Sequence, residues 1–422
     1  MNKKKITRIK VCRVCGGQNL SPVLSLGKLY VSDFLQNRHT EKKFDKHPLD
    51  LVLCSKQSGG CGLVQLRHTV SPELMYRNYW YRSGVNKTMT DELRAIAHLA
   101  GQSVGLGKGD TVVDIGCNDG TLLRSYTKKG IRRVGFEPAK NLMIYARKGT
   151  DNIINDFFTQ ESVKKALGNQ KAKIITSIAM FYDLENPNTF VATIRNLLDQ
   201  KGIWIIQMSY LPSMLKQNAF DNICHEHLEY YALGSLEQLL RRHQLEVYDV
   251  EENQVNGGSF RIFVRHVGST IGTGTRSISA RVAQMRRKEK RLRLDEKAVY
   301  DAFAARVNEL RERLRSYIIK EIQRGKTVYG YGASTKGNTL LQFFKLDHTH
   351  IRAIADRNPA KWGMRTIGTT IPIISEEQAR REKPDYFLVL PWHFLPEFME
   401  REKKFRQRGG KFIVPLPRFR VM

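Results

Sequence analysis

Twice along the chain an apolar run ends in a glycine-containing turn and passes directly into helix-forming sequence: "DTVVDIGCNDGTLL" from Asp110 and "KTVYGYGASTKGNTLLQFF" from Lys326. Each unit is followed by further apolar runs at strand length. "RRVGFEPA", "AKIITSIAM" and "GIWIIQMSYLP" follow the first, and "IRAIADRNPAKWG", "DYFLVLPWHF" and "GGKFIVPLP" the second. Strands that alternate with helices pair into a parallel sheet covered on both faces, and ligands then bind at the carboxyl ends of the strands. The expectation is an α/β protein with two doubly wound sheets, the second smaller.

The first 61 residues hold four of the six cysteines, Cys12, Cys15, Cys54 and Cys61, as a CxxC and a wider pair. A tight turn between two cysteines aims both sulfurs inward, and a second such knuckle completes a four-thiolate site for structural Zn2+ with no open position. The "SGG" inside the second pair supplies the flexibility that its six-residue spacing needs. No apolar run approaches the ~18 to 20 residues that cross a bilayer, and "MNKKKITRIK" has no apolar stretch behind its charge. A cytoplasmic, monomeric chain without a membrane partner is expected. The formal net charge of +29 suits an anionic partner or a solvated basic surface. Residues 281 to 326, read as one helical stretch, carry fifteen Lys/Arg against seven Asp/Glu, much of that excess in "RRKEKRLR". There Val299, Phe303, Val307, Leu310, Leu314, Ile318 and Ile322 form an apolar stripe. The stretch is taken as a connector first and a binding surface second.

The two glycine turns differ in character. "DIGCNDG" places Asp114, Gly116, Asn118 and Gly120 between strand and helix, and Glu137 ends the next strand, where a carboxylate can accept both hydroxyls of a ribose. Asp119 stands where a dinucleotide site wants phosphate. An anion is disfavoured there, whereas the sulfonium and ammonium of S-adenosylmethionine are favoured. Asp156, after the third strand, is the candidate for the adenine amino group. "GYGASTKG" offers free amides, Ser334, Thr335 and Lys336 at a helix start, an anion site for a nucleotide, either NAD with Asp356 on its ribose or a nucleotide-linked substrate. A plain capped helix is the simpler reading of the same residues.

"CRVC" with the later cysteine pair, "VVDIGCNDGTLL", "GFEPAKN", "AMFYDLENP", "HEHLEYY", "NGGSFRIF", "GYGASTKGNTLL" and "DRNPAKWG" occur in one order over nearly the whole chain. In this the sequence resembles the three-domain sugar C-methyltransferases, which add a branching methyl to nucleotide-linked keto-deoxysugars. The resemblance implies a zinc-binding domain, taken as 1–75, an S-adenosylmethionine domain, 76–268, and a Rossmann-like nucleotide-sugar domain, 323–422, with the basic helical stretch as the connector over 269–322. It also implies the chemistry, in which a proton alpha to a ketone is removed, the enolate is held at oxygen, and carbon attacks the sulfonium methyl.

Under that resemblance the "HEH" segment supplies the base. In an extended stretch His225 and His227 face one way and Glu226 the other, so the histidines share a pocket and His227 is the expected base. Metal binding is disfavoured because HEH lacks the helical HExxH spacing. The family places a tyrosine immediately before HEH to hold the enolate oxygen, and here that residue is Cys224, a weak donor. The remaining candidates are Tyr182, Tyr79 and Tyr81. "NGGSFRIF" offers Asn256, Gly258 and Arg261, the last able to pair with a diphosphate, although a β-bulge is the simpler reading. Ser334 and Lys336 are the candidates for the nucleotide part. Three rival functions are ranked lower: an O-methyltransferase on sugar hydroxyls, an NAD-dependent enzyme, and a zinc-containing RNA methyltransferase, the last without interleaved aromatics to read bases.

Overall fold

The structure is a computed structural model that describes residues 6–36, 44–271 and 277–422. Its central sheet has seven strands, in the order Leu245–Asn253, Ser259–His266, Leu198–Ser209, Ala172–Ile178, Thr111–Ile115, Arg132–Phe136 and Asn152–Ile154. The last five run parallel, and every residue of Thr111–Ile115 is buried, as expected of a strand covered on both faces. Ser259–His266 runs antiparallel to both neighbours. "NGGSFRIF" is therefore the turn and second strand of a hairpin, where Asn256, Gly257 and Gly258 all have positive φ. The strand order reverses between Thr111–Ile115 and Ala172–Ile178, so the crevice at their carboxyl ends is the natural ligand site.

The C-terminal sheet has the order Ile373–Ser375, Ile354–Asp356, Val328–Tyr331, Tyr386–Val389, Lys411–Val414 and Arg420–Val421, parallel except for its last pair. This is the second, smaller doubly wound sheet. The stretch expected as one helix is two, Ala280–Arg291 and Lys297–Gln323, broken where Arg293 adopts φ 55°. On the longer helix Phe303, Val307, Leu310, Leu314 and Ile318 are all buried. They share one apolar cluster with Leu24 and Leu51 of the N-terminal sheet and Ile354 of the C-terminal one. Each such side chain contributes about 1.5–3 kcal/mol, so the helix joins the two sheets rather than merely spacing them. On the shorter helix Arg281, Arg286 and Lys288 pair with Asp249, Glu237 and Glu252, which neutralises part of the basic run.

The N-terminal segment holds more regular structure than its turn-rich sequence suggests. Leu20–Tyr30, Lys46–Cys54 and Val64–Leu66 form an antiparallel sheet, and its fourth strand is Glu229–Tyr230, directly after the HEH tripeptide. No helix among the described residues is long and apolar enough to cross a membrane.

Candidate active site

The cofactor turn is held from both sides. Gly116 (φ 70°) and Gly120 (φ 80°) occupy left-handed positions where a side chain would be strained. A Cβ at Gly120 would lie 2.8 Å from the Ala146 carbonyl, and one at Gly116 would lie 3.1 Å from Met180 Cγ. Both glycines therefore allow close packing within the protein at this turn. Glu137 is buried, and its carboxylate accepts hydrogen bonds from the Asn118 and Ala139 amides at 2.8 and 2.9 Å. Asp114 is also buried and accepts one from Thr176 Oγ1 at 2.6 Å. Burial pushes Glu137 up to about 7 against those two amide bonds. Burial, with Glu137 nearby, does the same for Asp114, also to about 7.

Among the described residues no cation acts on either carboxyl. Two buried acids without a counter-ion fit a ligand that brings its own positive charge, as S-adenosylmethionine does. Glu137 would hold its ribose and Asp114 would lie beneath it.

Other cofactor candidates are engaged internally. Asn118 uses its side chain to fix the segment above the turn, accepting from the Ser83 amide and donating to the Tyr81 carbonyl. Asp119, beside it, accepts from the Gly84 amide at 2.8 Å and from Thr121. Asp119 thus anchors Arg82 and Gly84 beside the turn. Asp156 is exposed and ion-paired with Arg77 at 3.5 Å. A cavity of about 570 Å3 shares Asp119 and Thr121 with the turn, but no histidine lines it and Tyr145 is its one aromatic wall.

The HEH tripeptide is a turn, not an extended segment, and this separates its histidines. The His227 amide donates back to the Cys224 carbonyl at 3.2 Å. His225 is buried and donates from Nε2 to the His47 carbonyl at 3.1 Å, edge-on to the His47 ring. Burial lowers it to about 4. The two imidazoles do not share a pocket, and His225 ties the turn to the N-terminal sheet.

His227 is partly exposed. Its Nδ1 lies 2.8 Å from the Asn222 carbonyl, which can only accept, so Nδ1 carries the proton and the Nε2 lone pair is free. Burial, then the charge of Lys336, lowers His227 to about 3. The ring stands edge-on to Tyr182 with centroids 4.3 Å apart. Tyr182 is pushed well above the usual phenol range by burial, with Asp183, Tyr79, Cys224 and Tyr81 also acting on it, which brings these candidates into one neighbourhood. Tyr79 is half-buried, while Tyr81 is 44% exposed at its edge.

Tyr76, which sequence reasoning passed over, donates to the Glu226 carbonyl at 3.0 Å. The carboxyls of Asp183 and Glu226 are both held up by burial, and each has an oxygen without a partner.

The C-terminal sheet reaches into the same place. Lys336 Nζ donates to Asn222 Oδ1 at 2.6 Å. Trp392 donates to Asp221 at 3.1 Å, and the neighbouring His393 has a buried Nδ1 without a partner. The hairpin turn packs beneath them, since a Cβ at Gly257 would meet Trp392 at 3.1 Å and one at Gly258 would meet Ser213 at 2.8 Å. Asn256 is therefore part of that turn. Ser334 caps its helix by accepting from the Gly337 amide at 3.0 Å, and Asp356 takes the Ala333 amide at 2.7 Å. The second glycine turn is thus closed on itself where an NAD ribose was considered.

Arg261 corrects the diphosphate expectation. It is buried with its guanidinium spent on Gln207, Glu251 and Glu92, because its strand lies inside the sheet and those acids neutralise it. Asn222, His393 and Asp183 carried no periodic or spacing signal, and only the packing of distant segments brings them together.

The four N-terminal thiols converge. Cys12 and Cys61 sulfurs are 3.6 Å apart, Cys15 and Cys54 are 3.5 Å apart, and all four lie within 4.8 Å of one another. Tetrahedral zinc with ~2.3 Å bonds needs sulfurs about 3.8 Å apart, so the set fits Zn2+. Gly60 is required because a Cβ there would lie 2.5 Å from Cys54 Sγ. Gln65 donates to Cys12 Sγ at 3.1 Å, a hydrogen bond of the kind that orients a ligand from outside.

Comparison with known proteins agrees with this layout. Residues 12–76 match the model of a zinc binding domain, 81–250 that of a methyltransferase domain, and 254–417 that of a C-methyltransferase C-terminal domain. The C-methyltransferase NovU of Streptomyces niveus is 33% identical over 416 residues, 98% of this chain and 97% of that protein. A ubiquinone biosynthesis O-methyltransferase of Glaesserella parasuis serovar 5 is 28% identical over 143 residues, 32% of this chain and 60% of that protein. Among solved structures, the N-methyltransferase NodS from Bradyrhizobium japonicum aligns at a TM-score of 0.33 and 12% identity, covering 43% of this chain and 98% of that one.

Proposed function

Since this chain belongs to the three-domain C-methyltransferases, zinc-binding enzymes that depend on S-adenosylmethionine, we propose that its acceptor is a nucleotide-linked keto-deoxysugar methylated alpha to the ketone. One observation carries the reading: the partly exposed His227 is held by Nδ1 on the Asn222 carbonyl at 2.8 Å, leaving Nε2 as an acceptor. A ketone with its alpha C–H at Nε2 loses that proton to the imidazole. The C–H electron pair forms the C=C bond, and the carbonyl pair moves to oxygen. The bound cofactor supplies an electrophilic methyl group on a sulfonium. Glu137 and Asp114 would hold it, beside the segment that Asn118 and Asp119 fix through Tyr81, Ser83 and Gly84.

Four cysteines gathered as a metal site rather than paired in disulfides suit a reducing compartment such as the cytoplasm.

Incubation with a panel of nucleotide-4-ketosugars and S-adenosylmethionine, followed by product mass, is expected to show one added methyl on a carbon. In D2O without methyl donor, the accepted ketosugar is expected to take up deuterium alpha to its ketone. Methylated product without that exchange would point to O-methylation.

Glu137→Gln is expected to weaken S-adenosylmethionine binding roughly tenfold or more, as loss of charged hydrogen bonds worth about 1.5–3 kcal/mol requires, with the thermal transition little changed. Unaltered affinity in calorimetry would remove the ribose assignment. Burial pushes Glu137 up to about 7, and only its carboxylate form accepts from two hydroxyls. Affinity should therefore fall as pH drops from 8 to 6, and the Glu137-dependent part of that fall should vanish in Glu137→Gln.

A further inference from the structure

Resting on the proposed ketosugar reaction, we infer that the ammonium of Lys336, brought in from the C-terminal sheet, is the group that holds the enolate oxygen. Cys224, immediately before the HEH turn, is a thiol and so a weak donor. The base and the ammonium are fixed to the same residue. His227 Nδ1 sits on the Asn222 carbonyl at 2.8 Å, and Lys336 Nζ sits on the Asn222 side-chain oxygen at 2.6 Å. A single asparagine thus sets the spacing between a proton acceptor and a cation, the two functions that enolisation needs at once. An ammonium has three donors and Asn222 takes one, so donors remain for a ligand oxygen.

Asp183 acts on Tyr182, and for Asp183 and Glu226 burial with like charges nearby already makes ionisation unfavourable. Negative charge on a substrate oxygen would be resisted for the same reason. On the Lys336 side the sign is reversed, since its charge acts on His227, His393, Asp221 and Cys224 alike. The buried, unpartnered Nδ1 of His393 lies in this neighbourhood and marks a polar atom still open to a ligand.

The atoms balance as follows. The alpha C–H bond breaks, its proton goes to His227 Nε2 and its electron pair becomes the C=C bond. The former carbonyl oxygen carries the negative charge against Lys336, whose own proton stays on nitrogen.

The test is deuterium wash-in at the carbon alpha to the ketone, in D2O, at saturating ketosugar and without methyl donor, in the full-length wild-type protein and in Lys336→Met. Exchange is expected to fall about 100- to 1000-fold, as for loss of an oxyanion donor, with the ketosugar Kd changed less than about threefold and S-adenosylmethionine binding kept. Lys336→Arg, which retains the charge, is expected to recover part of the rate, and Lys336→Gln serves if the methionine variant does not fold. Normal exchange at saturation with a weakened Kd for the free nucleoside diphosphate would make Lys336 a nucleotide anchor and overturn the inference. A wild-type enzyme that washes deuterium into no ketosugar would overturn the acceptor reading and this inference with it.

Discussion

His227→Gln is expected to lower turnover about a hundred- to ten-thousandfold, the usual worth of a positioned general base, while S-adenosylmethionine still binds. Glutamine can keep a hydrogen bond to the Asn222 carbonyl but offers no basic nitrogen in place of Nε2. His225→Gln is the control: His225 bonds the His47 carbonyl behind the site, so its loss should lower the thermal transition more than the rate at saturation. Near-normal turnover in His227→Gln would remove it as the base. The pH profile gives a second check. Burial and Lys336 lower His227 to about 3, so it stays neutral above that pH. No imidazole limb is expected near 6.5 in kcat/KM, and any acid limb near 7 should belong to cofactor binding through Glu137 and Asp114.

Cys12→Ser or Cys54→Ser is expected to abolish stoichiometric zinc and to unfold or loosen the N-terminal sheet. Structural zinc contributes about 10–16 kcal/mol to small domains that depend on it. The effect should not stop at that sheet. Val64–Leu66 pairs with Glu229–Tyr230, the Leu66 amide donates to the Leu228 carbonyl at 2.8 Å, and the Leu228 amide donates to the Tyr182 carbonyl at 2.8 Å. The turn that carries His227 thus hangs between the zinc sheet and Tyr182. Chelation of the wild-type protein should reduce activity together with metal content. Unchanged metal content in either variant, by elemental analysis, would refute the four-thiolate site.

The comparison of sequence with structure divides along one line. The two strand–glycine–helix units, the order of apolar strands and the paired cysteines were legible because each is local. Strand periodicity, turn chemistry and ligand spacing are written within a few residues of one another. Where local signals misled, the error had a physical cause. HEH was read as extended because three residues carry no period that could reveal a turn. Arg261 was read as free because a charged residue is seldom buried unless acids from elsewhere neutralise it, and Glu92 and Glu251 do so here.

By itself, then, the sequence determined that this chain builds a cysteine metal site and two doubly wound sheets, and where the ligand turns fall within them. Only the tertiary structure decided which side chains meet. It put His225 behind the site and His227 in it, completed the zinc sheet with a strand from the methyltransferase domain, and set Lys336 on Asn222, 114 residues away in sequence. The reason is that backbone pattern is fixed by neighbouring residues, whereas a hydrogen bond across such a separation depends on how three packed sheets fit against one another.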